Sequence, residues 1–305
     1  MASGNGVDIA GGPIPKMPGY YGEPVVRPPV WTWEIPVYFF VGGLSGMAAL
    51  IAFAGLIFHQ HEITRAAMWL AGLGAIVSPI LLIMDLGRPH LFLNMLRIFK
   101  PQSPMSVGAW ILSIFGACAV PGLIALELHD RQIFSGSADQ VLRFATDLLV
   151  AGSAFWGLGL ATYTGVLLGA TVIPAWFLHR TLLPIHFGTA GLGSAAGLLE
   201  LLGYRNAALN ALGILAASVE CALWIWLEID KHGKADRALR ESQSGWLIRI
   251  GEIFSGPLAL VLRLTSFVPL AAISFLIGAL ISRFGWVSAG KVSGNDPEAV
   301  FASQH

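Results

Sequence analysis

The sequence predicts an all-α fold: a polytopic transmembrane helical bundle of about eight spans, the first four forming a four-helix bundle. Three observations carry that prediction. Of the 305 residues, 55% are hydrophobic and 12% charged, with a mean hydropathy of +0.69, against about 25% charged in an ordinary soluble domain. Six long apolar stretches, and a seventh near the C-terminus, fill the sequence. At about 1.5 Å rise per residue, roughly 20 such residues cross a hydrocarbon layer of about 30 Å. Glycines also recur at helix-packing spacing, as in Gly42 and Gly46, Gly165 and Gly169, Gly193 and Gly197. Small residues so placed let transmembrane backbones approach closely.

The elements follow in order. Residues 1–30 are rich in glycine and proline, with Lys16 and Arg27 but no apolar core of a secretory signal. They read as an extended N-terminal arm lying on the membrane surface or on a partner. A membrane domain follows over 31–290, then a polar C-terminal tail over 291–305. Within the domain the spans are expected at 36–58, 66–86, 105–127, 147–172, 181–203, 206–228 and 266–286. The first is uncharged and opens behind Trp31, Trp33, Tyr38 and Phe39.

Residues 246–265 are the exception. Arg249, Glu252 and Arg263 interrupt them, and Gly256-Pro257 breaks or kinks a helix. The segment reads either as an interfacial helix with a short re-entrant span, or as a complete tilted one. We count it as a span, which makes eight.

Charge narrows the function classes. Eighteen basic and eighteen acidic residues balance, which favours neither nucleic acid nor an acidic partner. Cys118 and Cys221 stand alone in apolar segments and read as packing residues, with no iron–sulfur, zinc or disulfide pattern. With eight spans, 13 of the 18 lysines and arginines fall on the side of the termini. The positive-inside rule then places both termini in the cytoplasm, a vote dominated by the basic loop 229–245.

The densest motif joins the second and third spans: Asp85-Leu86-Gly87-Arg88-Pro89, then Phe92 to Arg97 (FLNMLR), Lys100-Pro101 and Ser103-Pro104-Met105-Ser106. Asp85 and Arg88 are one turn apart and suit an ion pair at the membrane edge. The prolines make a rigid basic ledge. Helix capping and lipid-headgroup contact explain it equally well.

Together with Trp31-x-Trp33-x-x-Pro36-x-Tyr38-Phe39-Phe40, Gly42-Gly43-x-x-Gly46, the SPMSVGAW run from Ser103 and Tyr163-Thr-Gly-Val-Leu, this block resembles the polysulfide reductase NrfD family over roughly 31–290. The resemblance implies an eight-helix membrane subunit of a respiratory oxidoreductase in the bacterial inner membrane. Such a subunit exchanges electrons with a quinone, menaquinone or ubiquinone, and is not expected to be active alone. It also implies two partners, a four-cluster ferredoxin-like iron–sulfur subunit and, beyond it, a molybdopterin-type catalytic subunit. In the family these dock on the side where the first span begins, often the periplasm. The charge count points the other way.

A quinone head needs hydrogen-bond partners at its two carbonyls, an apolar slot and a proton route. Tyr38, Tyr163 and Glu34 are the candidate reacting groups. Trp33, Asp85 and Arg88 complete the binding set, Asp85 and Arg88 at the rim. Glu34 and Tyr38 stand four apart on one helical face. An interfacial aromatic belt is the competing reading for the tryptophans and tyrosines.

Charges in hydrocarbon are costly, so Glu220, His186 and Glu200 are candidates for proton transfer, with Glu127 and Asp147 at the outer edge. Membrane haem needs facing histidine pairs. Only His186 falls within a span, so neither haem nor a bound metal is expected in this subunit. Two rival functions remain. A transporter or ion channel would share the buried Glu220 and the break at Gly256-Pro257, but no inverted repeat is visible. A passive membrane anchor for a soluble enzyme would need no buried group at all.

Overall fold

The computed structural model describes residues 26, 29–230 and 236–303; most of the N-terminal arm lies outside them. Every regular element among the described residues is helical. The long helices are α1 (Glu34–Ile57), α2 (His61–Met84), α3 (Pro104–Asp130), α4 (Ser137–Gly169), α5 (Leu182–Leu201), α6 (Ala207–Ile229) and α8 (Val268–Gly294). These seven are long and apolar enough to cross a membrane.

The eighth crossing, α7, is broken. It comprises Gln243–Ile253, a π-turn over Phe254–Leu258 and Ala259–Leu264. Pro257 brings no N–H and would clash with the preceding turn of a regular helix. The wider π-turn absorbs that misfit without ending the helix. A methyl group on Gly285 would lie 2.8 Å from the Ile248 nitrogen, so the start of α7 packs beside the later part of α8. The end of α7 reaches the opposite face, where Arg263 meets Glu200 and Asn210. The segment is therefore a complete, kinked span.

Local chemistry sets the helix starts. Ser103 caps α3, its hydroxyl accepting the Ser106 N–H at 3.4 Å, with Pro104 at the first helical position. Asn206 caps α6 by accepting the Leu209 N–H at 2.8 Å, and Ser242 caps α7 through the Gly245 N–H. Two starts are earlier than hydropathy predicts: α2 begins at His61 rather than 66, and α4 at Ser137 rather than 147. The extra turns are polar. Hydropathy sees only the part of a helix that suits hydrocarbon, whereas backbone hydrogen bonding continues into the interface. The same reason carries α8 past residue 286 to Gly294, with a short helix Pro297–Ala302 after it.

Helices α1 to α4 form one bundle, α1 against α2 and α4, α3 against both. Its waist is bare backbone: a methyl group on Gly46 would lie 2.2 Å from the Gly157 carbonyl oxygen. Helices α5 to α8 form the second group, joined to the first where Gly191 meets Gly43. We call the face where α1 begins the near face. Its opposite is tied by Glu127, which accepts from Arg65 at 2.7 and 2.9 Å and from the Trp69 indole at 2.8 Å.

Candidate functional site

The near end of the first bundle does not close. A cavity of about 240 Å³ opens between α1 (Ile35, Tyr38, Phe39), the end of α2 (Leu82, Asp85, Leu86), the start of α3 (Met105, Gly108, Ala109) and α4 (Tyr163, Leu167), with Trp31 and Met95 at its mouth. A dry cavity of roughly 150 Å³ already accepts benzene, so this one has room for a substituted ring.

Two side chains give it chemistry. Tyr38 is 3% and Tyr163 8% exposed, and neither hydroxyl has a hydrogen-bond partner among the described residues. Two phenols without a partner among the described residues, lining one apolar pocket, can offer hydrogen bonds to a ligand there.

Tyr163 is held there by an absence. A methyl group on Gly108 would sit 2.0 Å from its hydroxyl and 1.8 Å from the ring carbon bearing it. Gly108→Ala is therefore expected to push the Tyr163 ring into the cavity. Ligand affinity should fall at least tenfold while the helices still assemble, as checked by binding to the purified variant alongside its circular dichroism.

Asp85 lines the pocket, but its partner is not Arg88. Its Oδ1 accepts from the Thr32 N–H at 3.1 Å and lies 3.1 Å from the Thr32 hydroxyl oxygen. Arg88 is exposed in the loop beyond the helix end, without an ion pair among the described residues. Glu34, in the first turn of α1, accepts instead from the Thr32 hydroxyl. Trp33 is 54% exposed. Trp31 takes the place expected of it, stacked on the buried Trp176 with ring centres 5.6 Å apart and its carbonyl accepting from Lys291. Of the predicted pocket residues, Tyr38, Tyr163 and Asp85 converge; Glu34, Trp33 and Arg88 do not line the cavity.

One aromatic layer behind the pocket lies a second cluster. Phe39 packs on Phe187, with centres 5.9 Å apart, and the Arg283 guanidinium stands 3.8 Å over the Phe187 ring. Around it gather His186, Glu220 and Glu252, all essentially inaccessible. His186 Nδ1 is 2.7 Å from Glu220, and its Nε2 is 3.0 Å from the Ser282 hydroxyl, 3.3 Å from Arg283 and 3.6 Å from Glu252. Thr189 donates to the other Glu220 oxygen. One oxygen of Glu252 has no hydrogen-bond partner among the described residues.

The donor atoms of His186, Glu220 and Glu252 lie within 4.8 Å of one another, close enough for a metal. Arg283 already supplies positive charge at that spot, so the arrangement suits a proton better. Two carboxylates and one guanidinium become neutral with one further proton, on the imidazole or on a carboxylate. Burial of net charge is costly, so one further proton would neutralise the cluster.

Sequence reasoning named His186 and Glu220 and missed Glu252 and Arg283. Glu200 sits elsewhere, accepting from Arg263 at 2.9 and 2.8 Å.

Comparison with known proteins finds a family and three relatives. The profile of the family described as "Polysulphide reductase, NrfD" matches residues 23–211, ending short of the 290 to which the motifs suggest a resemblance. The polysulfide reductase C subunit of Wolinella succinogenes is 28% identical over 191 residues, covering 57% of this sequence and 58% of that protein. The protein NrfD of Escherichia coli is 27% identical over 184 residues, 55% of this sequence and 57% of the relative. The integral membrane subunit of an Hdr-like menaquinol oxidoreductase from Archaeoglobus fulgidus is 26% identical over 164 residues, 53% of this sequence and 38% of the relative. The match thus spans less than two thirds of each relative. The family match, over 23–211, covers the whole cavity and His186, but not Glu220, Glu252 or Arg283.

Proposed function

The protein belongs to the polysulphide reductase NrfD family, and on that premise we propose that it is the quinone-exchanging membrane subunit of a respiratory oxidoreductase complex. The observation that carries this reading is the pair of unpartnered phenols, Tyr38 and Tyr163, in an apolar cavity at one end of the bundle. The relatives' names support it, one being a polysulfide reductase subunit and another a menaquinol oxidoreductase subunit.

A bound quinone takes up or returns two electrons and two protons. The residues present fit that exchange. Tyr38 and Tyr163 offer O–H donors to ring oxygens, while Ile35, Phe39, Leu82 and Leu167 wall off water. Asp85 stands at the mouth, within reach of solvent, to trade a proton with the site. His186, Glu220 and Glu252, beyond Phe39 and Phe187, are placed to hold a second proton. Glu200 has no part in this relay, since its carboxylate is engaged by Arg263.

Electrons would arrive from a four-cluster ferredoxin-like iron–sulfur subunit serving a molybdopterin-type catalytic subunit, both docked on the near face. The membrane would be the bacterial inner membrane. The charge asymmetry that places the termini in the cytoplasm loses one cation from each side, because Arg263 and Arg283 lie buried within helices.

Binding of a hydroxyquinoline-N-oxide quinone analogue to the purified protein in lipid discs tests the proposal. Saturable binding, lost in the Tyr38→Phe/Tyr163→Phe double variant, is expected. No saturable binding would sink it in favour of a passive anchor or a transporter.

A further inference from the structure

The segment between α2 and α3 has a character the pocket alone does not explain. From Leu86 to Ser103 it contains no carboxylate, and Arg88, Arg97 and Lys100 are exposed without ion pairs among the described residues. Its helical turn, Pro89–Leu96, buries no residue. Apolar side chains stand beside the cations: Leu93 is 72%, Ile98 60% and Phe99 54% exposed. Unpaired cations among uncovered apolar groups, at the point where two spans meet the interface, form the pattern of an element lying in the headgroup layer.

The segment is not loose. The Ser106 hydroxyl accepts the Lys100 N–H at 3.1 Å and donates to the Ile98 carbonyl at 3.4 Å, and Phe99 packs edge-on against Trp110. Met95 forms part of the cavity wall.

We infer that residues 88–100 form an interfacial lip seated on anionic phospholipid headgroups, at the bilayer-side mouth of the Tyr38–Tyr163 cavity. Charge complementarity names the occupant: three cations and no acid match a phosphate layer. The exposed apolar groups favour acyl chains over a water-facing partner, and the exposed Met84 and Met105 of α2 and α3 lead directly into them. Seated in this way, the lip keeps the mouth at the depth where a lipid-dissolved ring arrives. That last role rests on the quinone reading; the lipid seat itself does not.

The test uses the full-length protein with Cys118→Ala and Cys221→Ala, carrying a nitroxide on Leu93→Cys, in discs of phosphatidylcholine with or without phosphatidylglycerol. Protection from a water-soluble nickel chelate, with high oxygen accessibility, is expected and should deepen with phosphatidylglycerol. Arg88→Gln, Arg97→Gln and Lys100→Gln should each weaken phosphatidylglycerol retention on the otherwise native protein on the order of fivefold. A label equally open to the chelate in both bilayers overturns the inference. So does a label that becomes protected only when the soluble subunits are added, which would make the lip a protein-docking surface. Quinone-analogue binding in the same discs separates the readings: a protected label without analogue binding upholds the lip and refutes the pocket.

Discussion

Tyr163→Phe is expected to cut quinone turnover about 10- to 100-fold while leaving the folded protein as stable as before, or slightly more so. The two effects separate because the hydroxyl has no partner among the described residues. Removing a hydrogen-bonded hydroxyl from a core strands its partner and costs about 1–3 kcal/mol. Here nothing is stranded, and the phenyl ring still fills the space beside Gly108. The loss falls entirely on the ligand. A donor aimed where charge develops is worth on the order of 10²-fold or more in comparable sites, and Tyr38 opposite it shares the load. Tyr38→Phe should behave alike. Turnover measured in the intact complex, with thermal unfolding of the same sample, checks both halves. Unchanged turnover would leave the subunit a passive anchor, and a large fall in stability would mean that the phenol is structural.

Much of this arrangement is legible in the sequence, and the exceptions share physical causes. Apolar runs place helices because about 30 Å of hydrocarbon demands them, and the positions of Tyr38, Tyr163 and Asp85 along those helices are enough to bring them to one end. What hydropathy cannot supply is rotation and the true helix ends. Glu34 and Tyr38 are four apart, yet Glu34 belongs to a first turn where a neighbouring Thr32 hydroxyl captures it. Arg283 reads as a cation at the end of the expected span, which closes at 286, whereas α8 continues to Gly294 and buries it. Glu252 lies in the interrupted segment 246–265, counted as a span, where it reads as a break in the apolar run rather than as a member of a cluster. One signal is available: three glutamates, two arginines and a histidine in otherwise apolar stretches must find one another, since none is tolerable alone in hydrocarbon. The partner assignments still need the structure. Glu200 meets Arg263 while Glu252 meets His186, and no spacing rule connects helices so far apart in sequence.

That pairing leads to the largest expected effect on stability. Glu200 accepts two hydrogen bonds from Arg263, whose guanidinium also donates to Asn210 at 3.0 Å, tying the far ends of α5, α6 and α7. Gly213 makes room for it: a methyl group there would lie 2.0 Å from the central guanidinium carbon. Arg263 is 3% and Glu200 2% exposed, so neither charge has water to fall back on. Glu200→Gln should destabilise the protein by about 3–5 kcal/mol, because it leaves a buried guanidinium uncompensated. Arg263→Met should cost a similar amount for the opposite reason. The double variant should recover most of the loss, since no charge then remains to be stranded. Activity per folded molecule should hold throughout. Glu220→Gln is the contrast: the amide oxygen still accepts from Thr189 and the amide nitrogen can donate to His186. Stability then changes little, and turnover falls because the exchangeable proton is gone. Unfolding midpoints and turnover across the four variants decide the matter. If Glu200→Gln instead lowered turnover at unchanged stability, Glu200 would belong to the proton relay, as its position in the sequence alone suggests.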